Sequence, residues 1–209
     1  YRVTLKSVDT DMKTHIATHV GVEGGLVQDD ILDEPEHITQ CRFEAQQGDV
    51  TAQHNMGHAY NNGRDVPKDF EEAVKWWTMA AEQGDVRSIL PLGQLYRFGD
   101  IYHLGDGEFV TFAIDYDKAF EWYKVAASKG KDWGACIAQN KLGEMYSIGD
   151  GRLQDYVMAH MWFNIASANG DEDGRKNRDA IAKNMTPDAI EKATAMARKC
   201  MASDYKKCG

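Results

Sequence analysis

One stretch of about a dozen residues is written three times in this chain: from Ala73 through Trp76 and Ala80-Ala81 to Gly84, from Ala119 through Trp122 and Ala126-Ala127 to Gly130, and from Ala159 through Trp162 and Ala166-Ser167 to Gly170. Self-similarity at a fixed period constrains the fold more than any other feature, because each unit has to bury its apolar face against the next. The tryptophans are 46 and then 40 residues apart. That is the length of a helical hairpin, and the copies lack the alternation a strand-based blade requires.

A second recurring half precedes each tryptophan half. It reads Met56-Gly57 with Tyr60 and Gly63, then Leu92-Gly93 with Tyr96 and Gly99, then Leu142-Gly143 with Tyr146 and Gly149. The large apolar residue and the tyrosine are four apart, one helical turn, so they share a core face. Gly57, Gly93 and Gly143 lower helix propensity by about 1 kcal/mol against alanine, which calls for a packing reason: close approach of the neighbouring aromatic helix. Gly63, Gly99 and Gly149 read as left-handed residues closing the first helices, and Gly84, Gly130 and Gly170 as closing the second. Asp69, Asp115 and Asp155 stand where the second helices begin and are expected to cap them. Trp122 in the middle unit is expected to fill the space between repeats.

The succession of Leu-Gly, Tyr, Gly, Asp followed by an aromatic residue, Ala, Trp and Ala-Ala resembles the Sel-one-like repeat, a relative of the tetratricopeptide repeat. The resemblance covers about Glu44 to Asp171, and residues 177–193 resemble the closing helices found after such repeats. It implies an all-α, right-handed solenoid of helix pairs and an adaptor function, in a family with many bacterial and exported members; no catalytic residue comes with it. The expected frame is a half-unit at 34–48, repeats at about 49–84, 85–130 and 131–170, and a helical cap at 172–209. Residues 1–33 show no sustained period, and no role is assigned to this arm.

Three places depart from the repeat. Pro91 implies a helix that starts late or is kinked. Between Gly99 and Asp115 the connection is about ten residues longer than its counterparts and carries Tyr102, His103, Phe109 and Phe112, a composition suited either to binding or to packing as extra structure. Lys131 to Cys136 lengthens the next helix start, with Trp133 as a packing plug or a recognition residue.

The net charge is −9, and between Arg175 and Cys208 nine basic residues face four acidic ones, so the body is far more acidic than the tail. Such a body disfavours nucleic acid, which is bound by neutralising phosphates. The basic tail suits an acidic partner, a lipid headgroup, or simply a solvated outer face. No apolar stretch approaches the roughly 18 residues of a membrane span. Composition agrees with a soluble, folded chain. The first residue, Tyr1, is read as the end left by removal of a signal peptide or an upstream part.

None of the four cysteines forms a C-x-x-C pair. Cys200 and Cys208 stand close together beyond the last helix and are expected to form a disulfide, which favours the periplasm or the cell exterior, with the cytoplasm as the alternative. Cys41 and Cys136 are read as ordinary free thiols. His54 and His58 have the i, i+4 spacing that can hold zinc, but no Glu in the metalloprotease arrangement and no third ligand accompany them, so no metal, cofactor or catalytic residue is expected.

In stacked hairpins of this kind the first helix of each pair lines the inner curve. The candidate partner-binding residues are therefore His54, His58 and Asn61; Arg87, Gln94 and Arg97; and Asn140, Glu144 and Ser147, with Tyr102, His103, Phe109 and Phe112 of the long connection as the rival site. The expected function is a non-catalytic, monomeric adaptor or assembly factor for another protein. An immunity-type inhibitor of a toxin is the alternative, and a hydrolase a more remote one.

Overall fold

The computed structural model describes residues 34–103 and 109–208, the side chains of 101–110 excepted. The unit formed by residues 36–209 is a run of helices in which each packs on the next in sequence, except that the last packs on the helix two before it. They are α1 (Glu36–Gln46), α2 (Val50–Asn62), α3 (Phe70–Glu82), α4 (Val86–Phe98), α5 (Tyr116–Ala127), α6 (Trp133–Ile148), α7 (Tyr156–Ala168), α8 (Glu172–Ala182) and α9 (Pro187–Ala202). Helices α2 and α3, α4 and α5, α6 and α7 form the three hairpins; α1 packs on α2, and both α8 and α9 pack on α7. Contacts of α2 with α4, α4 with α6 and α6 with α8 set the first helices in one row. The chain is an all-α solenoid, and its arm at 1–33 lies outside the described residues.

The local signals act as the residues dictate. The Asp69 carboxylate accepts hydrogen bonds from the N–H groups of Glu71 and Glu72, Asp115 from Lys118, and Asp155 from Val157 and Met158, satisfying donors that have no partner within the helix. A second recurrence was not evident from sequence. The backbone N–H of each capping aspartate donates to the carbonyl of the repeat's tyrosine: Asp69 to Tyr60 at 2.9 Å, Asp115 to Tyr96 at 2.7 Å, and Asp155 to Tyr146 at 2.9 Å. The long middle connection is thus pinned at its ends like the short ones.

What it adds is an antiparallel hairpin, β1 (Asp100–His103) paired with β2 (Phe109–Phe112), the one departure from all-α character among the described residues. The hairpin changes how α4 ends. Gly63 and Gly149 are left-handed, whereas Gly99 has φ 64° and ψ −172°, and a Cβ there would lie 2.6 Å from the carbonyl oxygen of Phe112. Pro91 lies inside α4, which runs unbroken from Val86, so the late-start reading does not hold.

The helix glycines have the packing reason expected, an aromatic ring of the neighbouring helix. A Cβ on Gly57 would fall 2.3 Å from the Trp77 ring, on Gly93 2.4 Å from Tyr123, and on Gly143 2.5 Å from Phe163. The residue after each repeated tryptophan therefore lies under the glycine. Tyr123 is fully buried while Trp122 is only half-buried at the margin of the core, which corrects the expectation that Trp122 fills the space between repeats.

Candidate functional site

The row formed by α2, α4 and α6 carries the residues singled out from sequence, and the structure divides them into exposed and internally engaged groups. His54 Nδ1 lies 2.9 Å from Ser88 Oγ, and the Ser88 hydroxyl donates to Asp85 Oδ2 at 2.7 Å, so the hydrogen-bond network assigns the donor role to His54. Arg87 Nε donates to the other Asp85 oxygen at 2.8 Å. With its carboxylate so occupied, Asp85 makes no capping bond to α4, although it stands at the N-cap. This chain of polar contacts ties the first hairpin to the second. Burial lowers the pKa of His54 and neighbouring His58 lowers it further, against the raising pull of Asp85. The His58 ring meets His54 and Trp77 edge to face. The Arg87 side chain is 53% exposed and Gln94 is exposed, so both present polar atoms outward.

Arg97 and Asn140 behave differently. Arg97 is 2% exposed and donates to Glu144 Oε2 at 2.7 Å and Asp150 Oδ2 at 2.9 Å, joining α4 to α6 and the turn after it. Its partners compensate a cation that burial would otherwise penalise, and its Nε and Nη1 donors serve the fold. It is therefore corrected from a surface contact to an inter-repeat tie. Asn140 is buried, and its Oδ1 accepts from Asn177 Nδ2 of α8 at 3.0 Å. Glu144 takes a second cation, Lys141, at 2.9 Å, and Ser147 donates to the Glu144 carbonyl. Asn61 donates to the side chain of Asn62.

Of the rival site, Phe112 is half-buried, its ring 5.3 Å from that of Tyr96 and 6.2 Å from that of Phe70, so this end of the hairpin is packed structure. The side chains of Tyr102, His103 and Phe109 lie outside the described residues. Trp133 is 71% exposed and does not act as a plug. Its neighbour Gly134 is the packing residue, since a Cβ there would lie 2.4 Å from Val86 of α4.

Where the row ends against α8, a cavity of about 410 Å³ opens between Glu144, Ser147 and Ile148 on one side and Asn177, Ile181 and Asn184 on the other. Sequence reasoning missed Asn177 and Asn184 because the cap was read for its helices, its charge and its cysteine pair; the signal was two amides seven residues apart. Among the described residues no group of three or more His, Cys, Asp or Glu is arranged to hold a metal.

Three Sel1 repeats match the family model, at residues 50–85, 93–131 and 136–171. The structure is similar to that of a Sel1 repeat protein from Oxalobacter formigenes, with TM-score 0.52 and 31% identity over 70% of this chain and 99% of that one. It is also similar, with TM-score 0.36 and 28% identity, to c5321, a protective antigen present in uropathogenic Escherichia coli strains and displaying an SLR fold; that match covers 80% of this chain and 42% of the other. The chain belongs to the Sel1 repeat family, whose members generally serve as protein–protein interaction modules.

Proposed function

We infer that this protein is a non-catalytic adaptor or assembly factor that holds an extended segment of a protein partner along the row of first helices, α2, α4 and α6. One observation carries the reading: Arg87 and Gln94 stand exposed on the row of first helices, and the last of that row, α6, lines the cavity beside Glu144, so polar groups the core does not use are present on both. An extended segment exposes its own backbone N–H and C=O groups, and a polar face of this kind answers them. Arg87 is the strongest single contributor, because Asp85 holds its Nε while the side chain stays 53% exposed, and a guanidinium has further donors for a guest.

The protein acts outside the cytoplasm in this reading. The Cys200–Cys208 disulfide supports it, since such bonds persist in oxidising compartments. No helix among the described residues is long and apolar enough to cross a membrane. The similar Oxalobacter formigenes structure supports a bacterial source.

Selection from a displayed library of random peptides tests the function. Selected peptides should lose about tenfold or more in affinity when Arg87 and Gln94 are both replaced by alanine. Peptides that survive this double substitution but are lost on deleting residues 101–112 would move the site to the hairpin. Failure to select any peptide, with tight binding of a single folded partner instead, would favour the immunity-type inhibitor.

A further inference from the structure

The cavity at the end of the row has a chemistry more specific than the groove leading to it. Part of its mixed lining is apolar: Phe163 of α7 reaches it because Gly143 allows that ring to lie against α6, and Ile181 of α8 and the 65%-exposed Ile148 of α6 add to the same patch. Glu144 is the one formally charged residue among the described residues that line it, and both of its oxygens are engaged, Oε2 by buried Arg97 and Oε1 by Lys141. A cationic guest has to compete with those two partners. An anionic guest meets a carboxylate and no lining cation. The rim therefore selects for neutrality.

Two amides face the same cavity. Asn177 is held in place by its bond to Asn140, which is 5% exposed, so the orientation of its amide is fixed before any ligand arrives. Its Oδ1 and second N–H remain for a guest. Asn184, beyond the end of α8, is exposed at the opposite rim. A carboxamide offers one acceptor and two donors, the complement of a peptide group, and a preorganised one loses little freedom on binding. An apolar patch, a carboxylate already paired and two amides on one open cavity suit one apolar residue within a continuing peptide chain.

We propose that this cavity is the anchoring subsite of the groove, taking one neutral aliphatic side chain of the leucine, isoleucine or methionine class from an extended partner segment whose main-chain amides pair with Asn177 and Asn184. The proposal rests on the reading of the first-helix row as a peptide groove and names the residue class such a segment has to carry. A cavity of about 410 Å³ lies at the lower end of the range for ligand pockets, suited to a side chain with its flanking peptide groups.

The test is a titration of the isotopically labelled full chain, followed by NMR, with N-acetyl-leucine N′-methylamide, a probe carrying one aliphatic side chain between two peptide groups. The aspartate and lysine counterparts serve as controls. The leucine probe should move the side-chain amide signals of Asn177 and Asn184 and the methyl signals of Ile148 and Ile181 saturably, and bind about tenfold more tightly than either charged probe. Asn184→Ala, a change at an exposed position that leaves the fold intact, should weaken the leucine probe about threefold. Equal responses to the three probes, no saturable shift, or an Asn184→Ala variant that binds as well as the parent would each overturn the proposal. The two levels separate cleanly. A library peptide that depends on Arg87 and Gln94 while the cavity ignores the leucine probe overturns the subsite alone; saturation by the probe with no peptide depending on Arg87 and Gln94 keeps the cavity and overturns the groove.

Discussion

Replacing Tyr123 by alanine should destabilise the protein by about 3–5 kcal/mol, the range for removing a large buried aromatic ring, since this side chain is fully buried under Gly93 in the middle of the stack. Trp122→Ala, at a half-buried position, should cost clearly less, and urea unfolding of the two variants ranks them. Equal losses would contradict the assignment. The repeated tryptophans are the most visible letters of the motif, yet the contact that closes each hairpin belongs to the next residue, which is Trp77, Tyr123 or Phe163. Only a common aromatic character links those three, so the sequence alone could not rank them above the tryptophans. A pH effect also belongs at this scale. Burial holds His54 and His160 below the ordinary imidazole value of 6.5, with His58 adding to the effect at His54 and Arg178 at His160. The unfolded chain accepts these protons more readily than the folded one, so the stability contribution is complete above about pH 6.5 and is lost as the pH falls below it. Melting temperature should therefore decline between about pH 7 and 5.5, and the decline should be shallower in His54→Gln/His160→Gln. An unchanged slope in the double variant would sink this account.

Pairs of amides, one member of each buried, fasten successive elements. Gln53 Nε2 donates to the Ala45 carbonyl, and Gln83 Nε2 donates to Gln53 Oε1 and to the Gly48 carbonyl. The same arrangement recurs in the third hairpin, where Gln139 Nε2 donates to the carbonyls of Ala127 and Gly130, and Asn169 Nδ2 to Gln139 Oε1 and the Gly130 carbonyl. The middle repeat puts fully buried Ile89 at the matching position. Gln139→Leu should cost about 1–3 kcal/mol, because it leaves two carbonyls of the preceding turn and the Asn169 amide short of a partner; denaturation at unchanged m-value measures it, and a neutral outcome would deny the amides a structural role. At the C-terminal end the Cys200–Cys208 disulfide closes a loop in which Asp204 and Tyr205 both have positive φ, and Tyr205 Oη donates to Asn169 Oδ1 at 2.9 Å. Cys200→Ser/Cys208→Ser should lower stability by about 2–3 kcal/mol on loop-closure grounds and speed amide exchange first in residues 200–208. Exchange rates unchanged there would contradict the role given to the staple. The caps, the closing glycines and this cysteine pair were legible because each is a local rule with a residue that states it. The amide pairs and the Arg97 tie were not, because their partners lie 30 residues or more away along the chain and come together only when repeats stack.

For the whole molecule, the period of the repeat already implied a solenoid, since units of this length bury their faces only by stacking. The candidate surface was less legible. Helical spacing places a residue on a face, but it does not tell whether a neighbouring repeat claims the side chain, and so Arg97 and Asn140 were counted with Arg87 and Gln94. The cavity at α8 depends on how the cap meets α6 and α7, a relation that no repeat motif records. What remains exposed along α2, α4 and α6 is the basis for reading the protein as a holder of extended chain. The most direct test is hydrogen exchange of the protein with and without a library-selected peptide. The account predicts slowed exchange confined to α2, α4, α6 and the second half of α8, with α3 and α5 unchanged; protection concentrated on α3, α5 or the 100–112 hairpin would contradict it.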